Sequence, residues 1–127
     1  MQPDTTRLRL AAILGLSAII LGSLGAHGKV HDMVVAAGAF ENWKTAVSYH
    51  LPHAILLVIL ALAGKVGGKR GTWAWNSLFI GVLLFSGSLY THALTQVKWL
   101  VYVTPIGGVG MMLGWVLLLC ARWQPRG

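Results

Sequence analysis

The sequence predicts an all-α integral membrane protein, an antiparallel four-helix transmembrane bundle with both termini cytoplasmic. Three observations carry this reading. Four apolar runs, near Leu10–Leu24, Ala46–Ala63, Trp75–Leu94 and Trp99–Ala121, fill most of the 127 residues. A spanning helix needs about 20 apolar residues, and backbone amides in hydrocarbon must be satisfied internally, which here means helices. The chain is 56% hydrophobic and 10% charged, with a mean hydropathy of +0.69, whereas soluble domains carry roughly 25% charged residues. Finally, the basic residues are unevenly placed. Arg7, Arg9, Lys65, Lys69, Arg70, Arg122 and Arg126 fall on one side, and only Lys29, Lys44 and Lys98 on the other. Cytoplasmic loops carry the excess of Lys and Arg, so the basic side should face inward.

A single domain over residues 1–127 is expected, with spans at 8–26, 43–64, 74–95 and 99–121. The acidic residues Asp4, Asp32 and Glu41 all lie outside the apolar runs. The net charge of +7 is accounted for by topology and by attraction to anionic lipid, which argues against nucleic acid as a partner.

Arg7 and Arg9 ahead of an apolar run ending in Ser23-Leu24-Gly25-Ala26 resemble a signal peptide; the segment is read as a retained signal anchor and first span. Ala18, Gly22 and Ala26 are four apart, so a neighbouring helix can approach closely. Lys29–Ala37 is too short to span and is expected as an interfacial helical turn broken at Gly38. Asn42 is the expected N-cap of span two, with Trp43 and Lys44 at headgroup level. Pro52 should kink that span, since it cannot donate to the Ser48 carbonyl.

Span three enters behind Trp73 and Trp75. Its first half is apolar (Leu78, Phe79, Ile80, Val82, Leu83, Leu84), and its second half turns polar through Ser86-Gly87-Ser88-Leu89-Tyr90-Thr91-His92. The short loop Thr95–Lys98 forces a hairpin into span four, which starts at Trp99 and Tyr102. Thr104-Pro105 gives either a kink or a true helix start. Gly107, Gly108, Gly110 and Gly114 then form a close-contact face; with no Walker lysine following, a phosphate loop is a poor alternative. Cys120, the single cysteine, excludes an intramolecular disulfide and is expected as a small buried hydrophobe.

On this topology all five histidines, His27, His31, His50, His53 and His92, fall at the outer end. Ser23, Ser48, Tyr49, Ser86, Ser88, Tyr90, Thr91 and Thr104 join them, and the inner half has little beyond Asn76 and Ser77. His50 and His53 share a helix face. Ionisable groups at membrane depth usually face the bundle interior and mark function by default. Three readings follow. The histidines are neutral and bond to serine hydroxyls, to Tyr90 and to carbonyls freed by Pro52 and Pro105. Alternatively His50 and His53, with His27, hold a metal or haem, although HExxH and CxxC spacings are missing. A proton or solute path is the third reading, and the apolar inner half argues against it. Serine hydrolysis lacks an acid beside the histidine.

Leu24-Gly25-Ala26-His27-Gly28, Asn42-Trp43-Lys44-Thr45-Ala46-Val47 running into Tyr49-His50-Leu51-Pro52-His53-Ala54, Phe85-Ser86-Gly87-Ser88-Leu89-Tyr90, and Thr104-Pro105-Ile106-Gly107-Gly108 with Gly114-Trp115 carry a family resemblance. Together they resemble domain-of-unknown-function family 423, small four-helix membrane proteins of bacteria and eukaryotes. The resemblance covers nearly the whole chain and implies no activity. His27, His50 and His53 lie on its motifs; His31, His92 and Pro52 depart from them.

The expected function is that of a non-enzymatic, multi-pass protein of the bacterial inner membrane without a cofactor. Its polar cluster (His27, His50, His53, Ser86, Ser88, Tyr90, His92, Thr104) is a hydrogen-bond network or a docking site. Membrane lipid, another membrane protein or a second copy are the expected partners.

Overall fold

A computed structural model describes residues 2–64 and 68–122. Lys65 and Arg126, counted above among the basic residues, lie outside them. Among the described residues the chain forms helices and no strand: α1 (Thr5–Ala26), α2 (Gly28–Ala36), α3 (Phe40–Ala63), α4 (Gly68–Thr95) and α5 (Leu100–Cys120). All but α2 are long and apolar enough to span a bilayer. The start of α1, the end of α3, the start of α4 and the end of α5 lie at one end of the bundle (the terminal end), where Asp4 donates to the Ala61 carbonyl and Arg70 to that of Cys120. α2 with the α4–α5 turn lies at the other (the loop end).

The helix ends follow local chemistry. Asp4 caps α1, its carboxylate accepting from the Arg7 amide at 3.1 Å, which starts the helix three residues earlier than the hydropathy pattern does. Ala39, not Asn42, flanks the start of α3, and Asn42 lies inside the helix. The reason is the tight α2–α3 turn. Gly38 takes a positive φ of 70°, Ala39 donates to the Val34 carbonyl at 2.9 Å, and the helix begins at once. Pro52 and Pro105 both sit inside helices. Thr104-Pro105 is therefore not a helix start, and the Thr104 hydroxyl bonds back to the Leu100 carbonyl at 3.3 Å.

Neighbours in sequence are neighbours in space. α1 packs on α3, α3 on α4, and α4 most extensively on α5. The α4–α5 seam is closed by glycines. A Cβ on Gly81 would lie 2.6 Å from the Met111 nitrogen, and one on Gly107 would overlap the Phe85 backbone nitrogen. One on Gly114 would come 2.5 Å from Leu78. Gly110 lies against Gly81, while Gly108 meets only the Phe85 ring at ordinary contact distance. On α1, Ala18 is buried and Gly22 faces Val47 of α3.

Two apolar clusters fill the interior. Ala11, Leu14, Ala54, Leu57, Trp75, Leu78, Val82 and Met111 form one towards the terminal end; Val34, Ala39, Trp43, Ala46, Tyr90 and Ala93 form the other towards the loop end. Ile13, Leu16, Ile55, Ile59, Ile80 and Met112 point outward, as helices solvated by lipid require. Cys120 is exposed, not buried: it ends α5, where Arg70 donates to its carbonyl at 3.0 Å.

Candidate functional site

Between the two apolar clusters lies a polar layer. His50 is buried, as are Ser86 and Ser88. His50 sits ten residues into α3, about 15 Å by helix rise, so this layer is near mid-depth and not at the outer end where the sequence placed it. The shift follows from α3 beginning at Phe40, before the expected start.

The His50 ring joins three spans. Its Nδ1 lies 3.0 Å from the Tyr90 hydroxyl of α4, and its Nε2 lies 3.2 Å from the Ser17 hydroxyl of α1. Donor arithmetic assigns the protons. Ser17 has one O–H, which goes to the Leu14 carbonyl at 2.8 Å, so Ser17 accepts from His50 Nε2–H. A neutral imidazole then accepts at Nδ1, and Tyr90 donates. The result is a directed chain from Tyr90 through His50 and Ser17 to the Leu14 carbonyl. Trp43 extends it: its ring packs edge-on to Tyr90 with centroids 4.7 Å apart, and its indole nitrogen donates to the Leu21 carbonyl at 2.9 Å.

His53 is separate from this chain. Its Nδ1 donates to the Tyr49 carbonyl at 2.7 Å, and Trp115 of α5 donates to its Nε2 at 3.1 Å. It carries the opposite tautomer to His50. His27 is exposed at the α1–α2 junction, and His92 is half-buried in the last turn of α4. His31 donates from Nδ1 to the Gly25 carbonyl at 2.8 Å, holding α2 against the end of α1. His27, His50 and His53 are not gathered. Among the described residues no group of three or more His, Cys, Asp or Glu could hold a metal ion.

The serine hydroxyls find other carbonyls than those freed by the prolines. Ser86 donates to Ala46 at 2.8 Å and Ser77 to Gly110 at 2.7 Å. Ser88 and Thr104 share a 2.6 Å bond between α4 and α5. No buried side-chain nitrogen or oxygen among the described residues lacks a partner. Such a layer can hold helices in register; each interhelical bond of this kind contributes about 0.6–2 kcal/mol. Ser17 completes it, and a single hydroxyl in an apolar run carries no sequence pattern that marks it.

A model described as "Protein of unknown function (DUF423)" matches residues 21–108. The chain belongs to that family. It is 40% identical over 122 residues to the UPF0382 inner membrane protein YgdD of Escherichia coli, covering 91% of this chain and 88% of the relative. It is also 40% identical over 117 residues to the UPF0382 membrane protein YwdK of Bacillus subtilis, covering 88% and 91%. A UPF0382 membrane protein of Staphylococcus aureus is 35% identical over 121 residues, covering 93% and 95%. No solved structure matches.

In this member of the DUF423 family, segments far apart in sequence meet at single points. Gly25 lies under the Trp43 indole, where a Cβ would overlap the ring nitrogen. His50 meets Tyr90, and Gly107 meets Phe85.

Proposed function

We propose that this DUF423 protein is a non-enzymatic, multi-pass protein of the bacterial inner membrane whose polar interior is structural. The supporting observation is that both ring nitrogens of His50 and both of His53 are already engaged by protein groups. An imidazole so engaged would have to break an interhelical bond to take a metal. The chain inserts with the terminal end in the cytoplasm, because Arg7, Arg9, Lys69, Arg70 and Arg122 sit there against Lys29, Lys44 and Lys98 at the loop end.

The test is elemental analysis and an absorption spectrum of protein purified in mild detergent. No stoichiometric transition metal and no Soret band are expected, and His50→Phe should lower thermal stability. Stoichiometric metal or haem that His53→Ala removes while the bundle stays folded would overturn the structural reading.

A further inference from the structure

A second feature lies at the terminal end, away from the mid-depth polar layer. A cleft of about 820 Å³ opens at the terminal end between the start of α1 and the start of α4, walled by Arg7, Lys69, Thr72, Trp73, Trp75 and Asn76. α4 has 28 residues, about 42 Å by helix rise, against a hydrocarbon core of about 30 Å. The excess length is enough for its first turns, which carry Lys69 and Arg70, to reach the headgroup zone. Just below the cleft the apolar cluster of Ala11, Leu14, Trp75 and Leu78 begins.

The cleft is built around Arg7. Its guanidinium lies 5.1 Å over the Trp75 ring, donates to the Asn76 side-chain oxygen at 3.0 Å and contacts the Asp4 carboxylate at 3.5 Å. A fork held on three sides is pre-organised for an oxyanion, and a guanidinium matches phosphate geometry. Lys69 adds a second cation against the single Asp4 carboxylate. Thr6 and Thr72 offer hydroxyls, and Leu10 and the exposed Trp73 supply an apolar wall.

The geometry points to a phospholipid site: the phosphodiester of an anionic lipid sits between Arg7 and Lys69, with its glycerol and upper acyl carbons against Leu10 and Trp73. A soluble phosphate would use the same cations without the apolar wall.

Native mass spectrometry of the full, delipidated chain in detergent tests this, titrating phosphatidylglycerol, phosphatidylcholine and inorganic phosphate. Saturable binding of one phosphatidylglycerol is expected, stronger than phosphatidylcholine. Lys69→Gln should weaken it about fivefold, since a lysine near an anionic surface contributes on that scale. Arg70→Gln removes the same charge outside the cleft, where its guanidinium meets the Cys120 carbonyl, and should leave binding unchanged. Because Arg7→Gln also strips contacts from the bundle, Trp73→Ala is the second variant and should weaken phosphatidylglycerol binding by shortening the apolar wall. Equal affinity for both lipids overturns the proposal, as does equal loss in Lys69→Gln and Arg70→Gln. Displacement of the lipid by millimolar inorganic phosphate would show a soluble-anion site and overturn it too.

Discussion

The Trp43 indole occupies the space that a side chain on Gly25 would need, while its N–H donates to the Leu21 carbonyl one turn earlier on α1. This contact joins the first two membrane spans near the loop end, and it leaves room for hydrogen only. Gly25→Ala should therefore destabilise the protein by about 1–3 kcal/mol, the usual cost of overpacking. Trp43→Phe in the same chain should recover part of the loss. Thermal unfolding in detergent reads both, and an unchanged midpoint in Gly25→Ala would show that the helices have room to part.

The α4–α5 seam gives a matched pair. Gly107 abuts the Phe85 backbone, whereas its neighbour Gly108 touches only the Phe85 ring at 3.7 Å. Gly107→Ala should separate the helices and cost about 1–3 kcal/mol. Gly108→Ala should be neutral or slightly stabilising, because alanine favours the helix over glycine by about 1 kcal/mol. Similar losses in the two variants would mean the seam does not run as described.

Cys120 is a native topology probe, exposed near the terminal end and the chain's single thiol. A membrane-impermeant maleimide added to intact inverted inner-membrane vesicles should label it. In right-side-out spheroplasts labelling should require permeabilisation. The reverse pattern would put both termini outside and refute the orientation drawn from the basic residues.

The membrane spans were legible because hydrocarbon leaves the backbone one solution, and twenty apolar residues announce it. Helix ends were less so. Asn42 was a reasonable cap by residue type, but the Ala39–Val34 backbone bond begins α3 before it is reached. Depth is the least legible property. Distance from the expected span ends places His50 and His53 towards the outer end, whereas His53 meets Trp115, five residues from the end of α5. The sequence could name the imidazoles but not their partners, because Ser17 and Trp115 come from other helices and carry no local pattern. Cys120 was misplaced for a related reason: burial on α5 depends on which face meets α4, and the glycines rather than the large residues choose that face.

The polar layer itself is tested most directly by a double-mutant cycle on His50 and Tyr90, with stability measured by reversible unfolding in detergent. Tyr90→Phe alone should cost about 0.6–2 kcal/mol, the range for interhelical hydrogen bonds in membranes. In a His50→Leu background the same change should cost close to nothing, since the acceptor is gone. If Tyr90→Phe is equally costly in both backgrounds, the two residues are not coupled and the account of a three-span hydrogen-bonded lock is contradicted.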